Sequence, residues 1–125
     1  MKAIDEIIEY RKATAEALGA VMNYAHGLIK LQGKMYHTDE TLAYAYPLWI
    51  PDTDHNQMAM VKKLLIDQGY RILMDLYSTE KKVFIYPHGI KGSSYDCYEF
   101  SDKSERTAFR KAFMKYYKTK QDGRD

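Results

Sequence analysis

The chain has 125 residues, 46% hydrophobic and 29% charged, with 7 Gly, 3 Pro and a formal net charge of +2. This composition excludes a disordered chain, and no apolar run approaches the roughly 20 residues of a membrane span. A single cysteine, Cys97, excludes an internal disulfide, so a reducing cytoplasm is the expected setting. The N-terminal MKAIDEIIEY places acids where a secretory signal would carry an unbroken apolar stretch. A single α+β domain over residues 1–125 is expected.

In chain order, Ile4, Ile8, Arg11, Ala15, Leu18, Met22, Ala25 and Ile29 recur in steps of four and three, with Arg11 the one charged member. Such spacing predicts a long N-terminal helix over 1–32, stopped near Gly33, with a bend or break allowed at Gly19 or Gly27. A helix of that length would reach roughly 45 Å, more than a small core needs. A homodimer through Ile4, Ile8, Leu18, Met22 and Ile29 is therefore expected.

Residues 34–51 are ambiguous. Leu42, Tyr44, Tyr46 and Leu48 alternate like a strand, whereas Leu42, Ala45, Tyr46 and Trp49 fit a helical turn begun at Thr38 or Asp39. Pro47 and Pro51 interrupt either, and a short turn followed by an extended stretch is the expectation.

A helix–three strands–helix unit is expected over 53–119. Asp54 and Gln57 have capping-box spacing ahead of Met58, Val61, Leu64 and Leu65, and Gly69 is placed as a left-handed cap. The period then becomes two at Ile72, Met74 and Leu76. Further strands are expected at Val83–Tyr86 and from Tyr95 to Phe100, giving a small antiparallel three-stranded sheet packed by helices. Ser101 or Asp102 is expected to cap the last helix, whose apolar stripe is Phe109, Ala112, Phe113 and Tyr116, with a frayed tail after about residue 119.

Residues 1–100 carry 11 Lys/Arg against 13 Asp/Glu, whereas residues 101–125 carry 8 against 4. Arg106, Arg110, Lys111, Lys115 and Lys118 fall on one half of the last helix at helical spacing, with Tyr117 and Met114 among them. Such a face suits nucleic-acid phosphates or an acidic protein groove. Equally, cations near a helix C-terminus favour its dipole and aid solvation. The 12 Tyr against 4 Phe suit half-buried and interfacial surfaces.

Other constellations have plainer readings. In Asp52-Thr53-Asp54-His55 the carboxylates could hold a cation, but no glycine turn or distal Glu of an EF-hand follows, and capping accounts for Asp54. His26, His37, His55, His88 and Cys97 lack metal-ligand spacing, so no metal or cofactor is expected. Gly89 to Ser94 could nest a phosphate but reads as a strand connection, and no nucleophile elbow is present. No catalytic constellation is legible.

Trp49, Pro51, Thr53 and Asp54 form a Trp-x-Pro-x-Thr-Asp lead-in to a helix through Asn56 and Gln57, followed by Gly69, the strands and a final helix through Ala108 and Ala112. By these features the segment 49–117 resembles the phage ABA-sandwich domain. The resemblance implies a helix–sheet–helix sandwich and a phage or prophage source, without an established activity. The expected function is thus a non-enzymatic phage-encoded binding protein in the cytoplasm of the bacterial host. It would inhibit or sequester a defence-related host protein, one that handles nucleic acid, or a nucleotide signal. The alternative is a nucleic-acid-binding accessory protein using the basic C-terminal helix; no membrane partner is expected.

Overall fold

A computed structural model describes residues 3–23, 27–38, 46–76, 79–87 and 98–121. In order these form α1 (Ala3–Ala17), β1 (Val21–Asn23), β2 (Leu28–Leu31), β3 (Lys34–His37), α2 (His55–Asp67), β4 (Tyr70–Asp75), β5 (Lys81–Pro87), β6 (Tyr98–Asp102) and α3 (Glu105–Gln121). The fold is α+β: among the described residues there are three helices and two three-stranded antiparallel sheets, ordered β1-β2-β3 and β4-β5-β6. No helix among them is long and apolar enough to cross a membrane. The chain divides into two compact units, residues 1–61 and 62–125.

In the first unit the N-terminal helix is present but ends at Ala17, not near residue 32. Gly19, with φ at 82°, closes it: the Gly19 N–H donates to Glu16 O and the Ala20 N–H to Ala15 O, the paired bonds of a Schellman cap. The chain then turns back as strands. Leu31 and Lys34 pair across a two-residue loop, Gln32-Gly33, in which both residues have positive φ (51° and 82°). That is the primed turn whose twist matches a hairpin, so Gly33 makes a turn and does not stop a helix.

The expected dimer stripe is consequently dismantled. Ile29 is buried in β2, and Leu18 and Met22 pack against the same core, formed by Ala15, Ile29, Leu31, Tyr36 and Trp49. Ile4 and Ile8 alone stay exposed on α1. At the sheet's far side Leu48 bridges His37, and the expected helical turn at 39–45 lies outside the described residues.

Arg11, the charged member of the apolar stripe, has a partner 41 residues away. Its Nε and Nη2 donate to Asp52 Oδ1 and Oδ2 at 2.7 and 3.0 Å. Asp54 caps α2 as expected, accepting the Gln57 N–H at 2.9 Å. The Gln57 side chain, however, does not reach back to the cap. Its Oε1 accepts the Ile50 N–H at 2.6 Å and its Nε2 donates to Leu48 O at 2.8 Å, clamping the segment before the helix.

In the second unit the expected three strands are present, β4 pairing β5 and β5 pairing β6. Gly69, at φ 92°, separates α2 from β4 as expected. Ile72 and Met74 share the half-buried face of β4 with Tyr70, while Leu76 lies beyond the strand and is exposed. Helix α3 packs across β5 and β6, burying Phe109, Phe113 and Tyr116 with Val83, Ile85 and Tyr98. Its cap is Ser104, whose Oγ accepts the Thr107 N–H at 3.3 Å. Asp102, the expected cap, instead receives the Ser104 N–H. The helix runs on to Gln121, past the expected fraying point.

Candidate interface on the last helix

The basic residues of α3 do not form one uniform face. Lys111, Lys115 and Lys118 follow i, i+4, i+7 spacing and share one stripe, about 80° or more from Arg106 and Arg110 around the helix axis. Arg106 is exposed, but Arg110 is only 8% exposed and so is withdrawn from any cationic surface. Helical spacing places Arg110 about 60° from Phe113, at the flank of the apolar stripe, where spacing alone does not decide burial.

The lysine stripe runs beside β6, the outer strand of its sheet. Lys111 Nζ lies 3.3 Å from Asp102 Oδ2. Lys115 is exposed, and its Nζ sits 5.8 Å from the centre of the Phe100 ring, within cation–π range. Phe100 is itself 37% exposed. Tyr117 is half-buried and stacks on Phe113, with centroids 6.0 Å apart and planes 16° apart. Lys118 is exposed further along the stripe.

Asp102 is a fixed negative charge within this positive stripe. The Ser104 N–H, and then the Lys111 ammonium, hold its carboxyl below the ordinary value of 3.8, against burial, which acts the other way. The stripe is thus three lysines, one aromatic ring and one carboxylate. In the sequence Phe100 is marked only as an apolar strand residue; it pairs with the buried Val83 and is exposed although it shares that face, on a strand with no neighbour on its other side among the described residues.

The sixth base of the helix, Lys120, belongs to a different cluster. Its ammonium lies 5.5 Å from the centre of the Tyr70 ring. Tyr70 and Tyr98 both meet Tyr116 edge-on, with centroids 5.1 and 5.8 Å away, and the Tyr116 hydroxyl donates to Gln68 Oε1. Burial, then the neighbouring Tyr70, raises the Tyr116 pKa above 10.0; a hydrogen bond with Tyr70 raises that of Lys120 above 10.5. Both groups hold their protons more tightly in the folded chain, so their stabilisation is complete below the ordinary values and lost as pH rises through the folded ones. Urea midpoints should stay level up to the ordinary tyrosine value and fall above it, less steeply in Tyr116→Phe. An equal alkaline slope in both proteins would remove Tyr116 as its source.

The remaining sequence candidates are dispersed. Asp52 is taken by Arg11 and Asp54 by the α2 cap, and His55 is exposed. His37 is 4% exposed, with neither ring nitrogen hydrogen-bonded and its ring 5.2 Å from that of Tyr46. His26, His88, Cys97 and Gly89 to Ser94 lie outside the described residues, among which no three His, Cys, Asp or Glu side chains gather as a metal site would need. No protein-family model, curated protein or solved structure matches the chain.

Proposed function

We propose that the chain is a non-enzymatic binding protein that engages an acidic protein surface through the flank formed by α3 and β6. The observation that carries this reading is Lys115 poised over the exposed Phe100 ring, in one stripe with Lys111 and Lys118. Exposed aromatic rings are enriched at protein-binding surfaces, and lysines at the rim of such a ring would steer an acidic partner onto it. The resemblance over residues 49–117 directs the choice of partner. The likeness implies a phage origin, and from that origin follows the inference of an inhibitory role, with a defence-related, nucleic-acid-handling protein of a bacterial host as the first class to try.

The test is capture from bacterial lysate, with and without nuclease, by the tagged wild type and by Lys115→Glu/Lys118→Glu. A nuclease-resistant protein held by the wild type and lost in the variant is the expected result. Nucleic acid alone, removed by nuclease, would overturn it in favour of the accessory-protein reading. Affinity for bare nucleic acid would then fall steeply with salt, and each lysine removed would shallow the log–log slope by about one.

A further inference from the structure

The second sheet has one edge that its sequence does not blunt. Strand β4 is outermost in the order β4-β5-β6, so alternate backbone groups on its outer side have no strand neighbour among the described residues. Outer strands are ordinarily protected by lysine, proline, a bulge or shortness, because an open row of N–H and C=O groups pairs with any strand that meets it. The other outer strands fit that rule. β1 has three residues, β3 meets Leu48 in a bridge, and β6 carries Glu99 and Asp102. β4 instead runs six residues, Tyr70–Asp75, in unbroken register with β5 and without lysine, proline or bulge. Exposed apolar side chains gather along it. Leu73 is 54% exposed, Ile66 in the last turn of α2 is 58% exposed, and Leu76 just past the strand is exposed too. Ile66 and Ile72 line a groove of about 380 Å³ at the start of the strand, with Gly69, Tyr70 and Arg71.

We propose that β4 pairs antiparallel with β4 of a second copy, in the register that sets Leu73 opposite Leu73 and Arg71 opposite Asp75. Complementarity selects both occupant and register. A two-fold pairing opposes residues of the same face, so the strand can be centred only on a residue. Centred on Ile72 or Met74, it would set Leu73 against Arg71 or Asp75. Centred on Leu73, it joins the two exposed leucines and opposes every charge on that face to its opposite. Lys82 already stands opposite Asp75 in the sheet, so the second copy's Arg71 places that acid between two bases. Arg71 and Asp75 each interact within their own chain, and the pairing adds to those contacts, since a carboxylate and a guanidinium each serve several hydrogen bonds at once. On the other face Ile72 meets Met74, and Leu76 of one copy falls opposite Tyr70 of the other, beside the groove and Ile66. The α3 flank lies over β5 and β6, so the pairing leaves it open in both copies and does not rest on the partner proposed for it.

Sedimentation velocity of the full chain over a concentration series tests the pairing, with amide NMR spectra showing that each variant is folded. The wild type should form a dimer. Leu73→Lys and Arg71→Asp, both at exposed positions, should each weaken it on the order of tenfold. Asp75→Arg should weaken it likewise. An equimolar mixture of Arg71→Asp and Asp75→Arg should restore the dimer, because every charge then faces its opposite across the seam. A wild type that stays monomeric throughout would overturn the proposal, as would a dimer insensitive to Leu73→Lys. So would a mixture that associates no more tightly than either variant alone, or a dimer lost in Ile8→Asp, which would put the contact on α1.

Discussion

Trp49→Ala should lower the stability of the first unit by about 3–5 kcal/mol, the range for emptying a large aromatic site in a core. Set against a typical total of roughly 5–15 kcal/mol, that is enough to unfold a marginal domain. The reason lies in how much Trp49 ties together. It is 1% exposed and meets Tyr36 edge-on, with centroids 5.2 Å apart and planes at 73°. Its Nε1 donates to Arg11 O at 2.9 Å and lies 3.2 Å from Thr14 Oγ1, and its backbone N–H donates to His37 O at 2.9 Å. One side chain thus joins α1, the first sheet and the segment that leads to α2. Trp49→Phe separates the two contributions. It keeps an aromatic filling but removes the indole donor from Arg11 O, which still accepts the Thr14 hydroxyl at 2.9 Å, so a loss of about 1 kcal/mol is expected. Urea unfolding followed by far-ultraviolet circular dichroism measures both, since the tryptophan signal disappears in either variant. Equal midpoints for wild type and Trp49→Ala would mean that this residue is not the centre of the core.

Half of this architecture was legible in the residues and half was not, for physical reasons that differ. The chain from α2 onward announces itself through changes of period. Met58, Val61 and Leu65 follow helical spacing, Tyr70, Ile72 and Met74 follow a period of two, and Phe109, Ala112, Phe113 and Tyr116 return to helical spacing. Each pattern has one buried face, so the period identifies the element. In the first unit, Leu18, Met22 and Ile29 continue the 4-3 spacing of α1 although they reach the core, the first two partly buried, from a helix cap and two strands. Apolar spacing reports burial, and a helix is only one way to produce it. Punctuation held the information: Gly19 and the Gln32-Gly33 pair sit where positive φ is required, and both conformations end regular structure. Arg11 carried a second signal, since a charged residue within an apolar stripe needs a partner, and that partner is Asp52.

The α3 surface shows the limit from the other direction. Helical spacing groups Arg106, Arg110, Lys111, Lys115 and Lys118 correctly into one half of the helix, because angular position depends on sequence number alone. Which of them meet solvent depends on what else reaches that half. Burial removes Arg110, while Asp102 and Phe100 of β6 engage Lys111 and Lys115. A sequence-level charge count cannot anticipate either effect, since both follow from strand register and packing.

The second large effect belongs to Gln57, and it separates two roles that share one sequence signature. Asp54 and Gln57 look like a capping box, in which the glutamine would return to the cap and its loss would cost little beyond helix fraying. The glutamine instead bridges the Ile50 N–H and the Leu48 carbonyl, both in the preceding segment, from a side chain that is buried. Gln57→Leu leaves both backbone groups without that partner, at roughly 2–4 kcal/mol. Asp54→Ala removes one cap acceptor, at about 1 kcal/mol. Gln57→Leu should therefore be the more damaging of the two in urea unfolding, and the reverse order would return Gln57 to a capping role. Gln57→Glu sharpens the test. Ionised, it can still accept from Ile50 but turns an acceptor toward the Leu48 carbonyl; protonated, it can satisfy both. Its deficit relative to wild type should shrink as pH falls through the carboxylate range, whereas Gln57→Leu, having nothing to titrate, should keep its deficit.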